Sequence, residues 1–250
     1  MTRSRAVGDR RSYRQALDRL VAAQKSGAGV PAYLRWVNRG LGRRAAAGAF
    51  VLGWTPNAVT AASAALSVGA MVLIVTQPPS IAVALAATAL LLAGYALDSA
   101  DGQLARLTGT GSLAGEWLDH VVDAARLPLF HLAVALHVML WWDLPWLVAV
   151  ALAFCILSST WFFAQTLAEK LSTDGPQTAD APAWISFAKL PYDVGLLYLT
   201  VAFLASDTTF SMLYSAIFAV TLLVSLLSLR RKYRALARQS SRAASDQTKE

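Results

Sequence analysis

Four aspartates stand close together in one stretch of this 250-residue chain, DSADGQLARLTGTGSLAGEWLDHVVD. Asp98 and Asp101 are three residues apart, and Asp119 and Asp123 are four apart, so on helices each pair projects from one face. The TGTG run between the pairs offers two glycines for a turn. We therefore expect two helices that pack as an antiparallel hairpin and bring the four carboxylates into one small volume.

This acidic cluster predicts a metal site. Carboxylates at such close range repel one another unless cations lie between them. Arg106 and Arg126 are the nearby basic residues, and they face the four aspartates and Glu116. An all-oxygen ligand set suits a hard divalent cation such as Mg2+ or Mn2+.

The chain that must position this cluster is strongly apolar. It is 56% hydrophobic and 15% charged, which is more apolar than an ordinary soluble domain. Six apolar stretches each approach or exceed the ~20 residues that a helix needs to cross a bilayer. We predict an all-α polytopic membrane protein with six transmembrane helices preceded by a juxtamembrane amphipathic helix. The predicted spans are residues 56–76, 80–105, 112–141, 145–168, 184–205 and 208–229.

Basic residues are distributed unevenly between the two sides of the predicted spans. The first 55 residues hold eleven of the 22 Lys and Arg residues, whereas the connections TQPPS, WWDLPW and ASDT hold none. Basic segments stay on the cytoplasmic side of a membrane. This asymmetry places both termini in the cytoplasm and the aspartate cluster at the inner face of the membrane. We expect that membrane to be a plasma membrane.

The N-terminal segment carries an apolar stripe. Tyr13, Ala16, Leu17, Leu20 and Val21 recur at helical spacing, which is typical of an amphipathic helix on a membrane surface. We expect contacts with membrane lipids and none with nucleic acid, because the chain is so lipophilic. The predicted organisation is a basic cytoplasmic segment with amphipathic interfacial helices at residues 1–55, a six-helix catalytic domain at 56–230, and a basic, disordered cytoplasmic tail at 231–250.

The aspartates belong to a longer pattern of eight positions at fixed spacing, which resembles the signature of the CDP-alcohol phosphotransferases. The TPNAVT run at the start of the first predicted span is similar to a P-N-x-x-T segment of the same family. The eight positions are Asp98, Asp101, Gly102, Ala105, Arg106, Gly115, Asp119 and Asp123.

The resemblance implies an enzyme of phospholipid biosynthesis. Such enzymes transfer a substituted phosphate group from a CDP-alcohol, usually the CDP-linked lipid CDP-diacylglycerol, to the hydroxyl of an acceptor alcohol and release CMP. The resemblance also implies two divalent ions, Mg2+ or Mn2+, and a homodimer. The acceptor stays open, because glycerol 3-phosphate, inositol or its phosphate, serine, choline and a second lipid are all served by similar motifs.

The resemblance also assigns roles to the charged residues. Asp98, Asp101 and Asp119 would ligate the pair of cations, with Asp123 contributing to the metal site and serving as the general base. Arg106 would clamp the diphosphate, since a guanidinium matches phosphate oxygens bidentately.

Small and polar residues are assigned to the CDP-donor site. Gly102, Ala105 and Gly115 would let the nucleotide or a neighbouring helix approach the backbone. Asn57 and Thr60 would line the nucleotide pocket or cap the first helix.

Three further residues are candidates for the acceptor site. Arg126, one turn beyond Asp123, would hold an acceptor phosphate or pair with Asp123. Lys189 and Asp193 lie four residues apart and would bond to each other or face the acceptor pocket.

Two other classes of membrane protein use acidic sites. An intramembrane prenyltransferase binds a diphosphate through aspartates and Mg2+. Enzymes of that class have longer chains, with two aspartate-rich motifs on well-separated helices. A cation transporter would place carboxylates near the bilayer midplane on broken helices and would not need Arg106 beside them. The compact spacing from Asp98 to Asp123 favours a phosphotransferase, and metal-dependent release of CMP would distinguish the three classes.

Overall fold

The computed structural model describes residues 12–23, 30–172, 186, 190 and 193–247, with only the backbone for 240–247. Within these residues every regular element is helical, which confirms the predicted all-α class. A π-helical turn, Tyr33–Asn38, leads directly into α2, and a 3-10 turn, Val201–Phe203, follows α7. The α-helices are α1 (Tyr13–Ala22), α2 (Arg39–Leu52), α3 (Pro56–Thr76), α4 (Ile81–Thr108), α5 (Leu113–Trp141), α6 (Pro145–Leu171), α7 (Val194–Thr200) and α8 (Asp207–Gln247).

Five of these helices, α3, α4, α5, α6 and α8, are long and apolar enough to cross a membrane. This confirms a polytopic membrane protein. The predicted span at 184–205 is represented among the described residues mainly by the apolar segment Val194–Phe203. Ten helical residues extend about 15 Å, half of a hydrocarbon core. The count of six spans therefore stays a prediction.

The turn between α4 and α5 brings the two aspartate pairs together. Gly109 ends α4 in the left-handed region, with φ at +67°, which glycine adopts without strain. Ser112 then caps α5, because its Oγ accepts a hydrogen bond from Gly115 N at 3.1 Å. This short connection produces the helical hairpin predicted from the TGTG run.

Helices α3 and α4 pack closely at small residues. A Cβ atom at Gly94 would lie 2.7 Å from Ser67 Oγ and 3.0 Å from the Ser63 carbonyl oxygen. Ser63 Oγ donates a hydrogen bond to the Gly94 carbonyl at 2.8 Å. Such packing lets polar side chains bond across helices inside a membrane, and it aligns the N-terminal end of α3 with the acidic end of α4.

Helix α1 has the predicted amphipathic character, but part of its apolar face packs against protein. Ala16 and Leu20 are buried in a cluster with α2, α3 and α4, whereas Tyr13 and Val21 are exposed. Its contact with membrane lipids stays a prediction for the exposed part of the stripe.

The C-terminal region differs from the expectation of disorder at 231–250. Helix α8 continues to Gln247. The run RRKYRALAR is rich in strong helix formers. Adding residues to an existing helix costs less than nucleating a new one, so the apolar part of α8 favours a helical backbone in the basic segment.

Candidate active site

Three carboxylates converge in the half of the α4–α5 hairpin that lies nearer its turn. Asp98, Asp119 and Asp123 each offer an oxygen atom, and these atoms lie within 4.8 Å of one another. We call these three residues the carboxylate triad. The pair on α5 meets the α4 carboxylate across the helical hairpin, as the spacing predicts.

Arg126 lies against this triad. Its Nη1 atom is 2.7 Å from Asp98 Oδ1 and 3.3 Å from Asp123 Oδ1, and its Nη2 donates to Ser63 Oγ at 2.9 Å. Of the two roles predicted for Arg126, these contacts correspond to pairing with Asp123. Three ionised carboxylates at this range repel one another, and a cation between them would lower that repulsion.

The triad also offers a ligand atom with spare capacity. Asp98 Oδ1 is buried and lies 2.7 Å from Arg126 Nη1. A carboxylate oxygen that faces one donor keeps a second lone pair for a cation. The donor set therefore fits a hard divalent cation, as predicted.

Asp101, the fourth predicted metal ligand, lies beside the triad but is not one of these three converging carboxylates. Its Oδ2 accepts a hydrogen bond from Thr60 Oγ1 at 2.6 Å, and its Oδ1 accepts one from Gly102 N at 2.5 Å. Thr60 does not cap α3, because Thr55 holds that position. The bond from Thr60 orients Asp101 across the α3 and α4 interface.

A large cavity opens between the triad and the turn that joins α4 and α5, and we call it the polar cavity. Its volume of about 1010 Å³ lies at the upper end of the ~300–1,000 Å³ typical of small-molecule sites. All six residues predicted to bind the CDP-donor line it, together with two of the aspartates. These lining residues are Asn57, Thr60, Asp101, Gly102, Ala105, Arg106, Gly115 and Asp119.

The glycines keep this cavity open. A Cβ atom at Gly115 would lie 3.2 Å from both Asn57 Oδ1 and Ser112 Oγ, and one at Gly102 would lie 3.4 Å from Arg106 Nη1. A side chain at Gly115 would therefore press on polar groups of the cavity wall, whereas one at Gly102 would be in ordinary contact with Arg106.

Comparison with known protein families shows the family to which the chain belongs. The family model described as CDP-alcohol phosphatidyltransferase matches residues 53–227. The chain belongs to this family. A comparison with curated proteins finds no match. The matched region begins just before α3, ends within α8 and contains every residue predicted for the site.

Membership defines the general chemistry. As a CDP-alcohol phosphatidyltransferase, the protein is a membrane enzyme that transfers a phosphatidyl group from a CDP-alcohol to an alcohol acceptor. The family uses a divalent metal, and the carboxylate triad could bind one. This assignment favours the phosphotransferase over the prenyltransferase and transporter alternatives.

Arg39 is a residue near the phosphatidyltransferase site that the sequence did not indicate. It begins α2 and lines a cavity of about 190 Å³ together with Arg106, Asp98, Asp101 and Asp119. Burial, with repulsion from Arg106 and a further arginine, lowers the pKa of the Arg39 guanidinium. Arg39 lies outside the matched region and far from the aspartates in the sequence. The packing of α2 on α4 brings it to this cavity.

A second cavity is lined by residues of α4 and α5 that lie farther from the turn between these helices than the triad, and we call it the inner cavity. Its volume is about 230 Å³. Asp193 reaches it and is 2% exposed, accepting hydrogen bonds from Leu34 N and Gly195 N, each at 2.9 Å. Lys189, its predicted partner, lies outside the described residues. The inner cavity is lined by, among others, Tyr95, Leu127, His131, Phe154, Asp193 and Ser225.

Proposed function

We propose that this enzyme transfers the substituted phosphate of CDP-diacylglycerol to an acceptor alcohol and releases CMP, as a step of phospholipid biosynthesis. The reaction takes place at the cytoplasmic face of the plasma membrane, with both termini of the chain in the cytoplasm. The observation that carries the proposal is the carboxylate triad beside a polar cavity lined by all six predicted donor-binding residues.

The metal assignment is Mg2+ or Mn2+, with two ions per chain. Asp98, Asp119 and Asp123 would hold them together with Asp101, whose carboxylate lies alongside. When bound, such ions neutralise the diphosphate and stabilise the CMP leaving group. The excess of carboxylates over the single paired guanidinium of Arg126 supports this assignment.

Donor binding is assigned to the polar cavity. Arg106 lines it on α4, one turn from Gly102 and Asp101, where its guanidinium can hold diphosphate oxygens. Asn57 lies opposite, close to Gly115. The size of the cavity suits a nucleotide, and the two glycines let it approach both helices.

Proton transfer is assigned to Asp123. Its carboxylate is about one-third exposed, and it lies one turn deeper than Asp119 on α5. A base must reach the hydroxyl of the acceptor while staying close to the reacting phosphate. Arg126, held by Asp98 and Ser63, fixes the orientation of Asp123. We also propose a homodimer, which the family resemblance implies.

The test is release of CMP from CDP-diacylglycerol by the purified enzyme in lipid vesicles, with a mixture of candidate acceptors. We expect release that requires Mg2+ or Mn2+ and a phospholipid product that contains the acceptor. Full turnover in excess EDTA would contradict the metal assignment. Failure to bind or consume any CDP-alcohol would contradict the function itself.

A further inference from the structure

Along α4 and α5, Asp98 and Asp123 lie between the residues that line the two cavities. On α4, Tyr95 lines the inner cavity and Asp101 lines the polar cavity. On α5, Leu127 lines the inner cavity and Asp119 lines the polar cavity. Asp98 and Asp123 are therefore each about one helical turn from a residue that lines the inner cavity.

The geometry of phosphoryl transfer indicates on which side of the phosphorus atom each reacting group lies. The attacking and leaving oxygens lie roughly in line through the phosphorus atom. Given the proposed function, on which this inference rests, CMP leaves into the polar cavity. The attacking hydroxyl then approaches from the opposite side, which is the inner cavity. Tyr95, on the wall of the inner cavity, is three residues from Asp98 on α4, so the two side chains lie on one face of that helix.

The walls of the inner cavity are unsuited to an anion. Asp193 contributes a buried carboxylate, and Phe154 and Trp161 contribute aromatic rings. Among the described residues that line this cavity there is no Lys or Arg. Arg126 forms ion pairs with Asp98 and Asp123 and is not among the residues that line this cavity. A phosphate or carboxylate placed here would lose its hydration without gaining a described cationic partner.

Two buried polar atoms on the cavity walls could bind a hydroxylated ligand. His131 Nε2 and Ser225 Oγ have no hydrogen-bond partner among the described residues, and the two side chains are 0% and 1% exposed. His131 Nδ1 is already bonded to the Tyr214 hydroxyl at 2.7 Å, so its ring is fixed. Buried polar groups normally have a partner, and hydroxyl groups of a ligand could supply it.

The size of the inner cavity limits what it can hold. Its volume of about 230 Å³ is below the ~300–1,000 Å³ of pockets for drug-sized molecules. This space accommodates one ring or a short chain, and it is too small for the two acyl chains of a phospholipid.

We propose that the inner cavity is the acceptor site and that it selects a small alcohol without a phosphate or carboxylate group. In the reaction, the acceptor oxygen forms a bond to phosphorus, the bond from phosphorus to the CMP oxygen breaks, and the acceptor proton passes to Asp123. The aromatic rings and the Asp193 carboxylate also permit an amine on the acceptor, since they attract positive charge.

Acceptor pairs that differ by an anionic group test the selection. The wild-type enzyme in vesicles with CDP-diacylglycerol would be assayed for CMP release with glycerol and glycerol 3-phosphate, inositol and inositol phosphate, and ethanolamine and serine. We expect the member without the anionic group to be used in at least one pair, with a kcat/KM at least about tenfold above that of its partner. Preference for the anionic member in any pair would overturn the proposal, as would no turnover with any member while the donor is bound.

Donor binding, measured separately with labelled CDP-diacylglycerol and Mg2+, tells this failure from a failure of the proposed function. If the donor does not bind, the proposed function is wrong. If the donor binds and an anionic acceptor is preferred, only the acceptor class is wrong.

A substitution that fills the cavity tests the location. Ser225→Leu should raise the KM for the acceptor by about tenfold or more and leave the KM for the donor unchanged, because it adds bulk to the inner cavity alone. Ser228→Leu makes the same change on α8 away from the cavity and should change neither constant. Thr221→Val, which removes a lining hydroxyl without adding bulk, gives a second test where Ser225→Leu fails to insert. An unchanged acceptor KM in both cavity variants would place the acceptor elsewhere.

Discussion

The polar cavity and the inner cavity share helices α4 and α5 but differ in the chemistry of their walls. Near the turn that joins them, the helices present Gly102, Arg106 and Gly115, with open space of about 1010 Å³. Two to three turns deeper they present Tyr95 and Leu127 around about 230 Å³. One helical hairpin therefore lines two cavities of different polarity. Position along the same helices separates the cavity that we propose for the nucleotide from the cavity that we propose for the acceptor.

The largest effect is expected for a substitution in the carboxylate triad. Asp98→Asn removes a carboxylate from the triad and should reduce turnover by roughly a thousandfold or more, while the protein still inserts into the membrane. The measurement is CMP release at saturating Mg2+. Asp143→Asn, an exposed aspartate between α5 and α6, is the matched control and should retain activity. Comparable activity of the two variants would remove Asp98 from the metal site.

The next prediction separates the two aspartates of α5. Asp123→Asn should lose about 10²–10⁴ in turnover, the usual contribution of a general base, and keep metal-dependent binding of CDP-diacylglycerol. Asp119→Asn should lose both, because Asp119 lines the polar cavity. If Asp123→Asn also abolishes donor binding, Asp123 is chiefly a metal ligand and the base lies elsewhere.

A smaller effect is expected within the polar cavity. Arg106→Lys should raise the KM for the donor roughly tenfold, because a point charge cannot reproduce two parallel hydrogen bonds to phosphate. The acceptor KM should stay the same. Arg44→Lys, on the exposed face of α2, serves as the control. An unchanged donor KM would indicate instead that Arg106 serves as a basic anchor at the inner membrane face.

The smallest expected effect concerns the wall between Asn57 and Gly115. Gly115→Ala would place a Cβ atom 3.2 Å from Asn57 Oδ1, so we expect the donor KM to rise about threefold as the side chain shifts. Gly69→Ala, on α3, meets no atom within 4 Å and should be neutral. Equal behaviour of the two variants would show that the donor does not depend on this wall.

Local sequence patterns were sufficient for the parts of the molecule that depend on short separations. Apolar length predicts α3 to α6, and the glycines of TGTG predict the hairpin that joins the two aspartate pairs. The fixed spacing from Asp98 to Asp123 indicates the triad and the glycines of the polar cavity, since neighbours on one helix face are set by the helical repeat alone.

Contacts between distant segments could not be predicted in this way. Thr60 and Asp101 are 41 residues apart, and Leu34 and Asp193 are 159 apart, so both hydrogen bonds depend on tertiary packing. Arg39 reaches the site because α2 packs on α4, where a Cβ atom at Gly42 would lie 2.8 Å from Ser99 Cβ. The inner cavity is likewise formed by several helices together.

The most direct test of the central claim is Mn2+ binding to the purified enzyme, followed by electron paramagnetic resonance in the presence of CDP-diacylglycerol. The account predicts two bound ions per chain in the wild type and a loss of binding in Asp119→Asn, with Asp143→Asn unchanged. Absence of bound Mn2+ in the wild type, or undiminished binding in Asp119→Asn, would contradict the assignment of the metal site to the carboxylate triad.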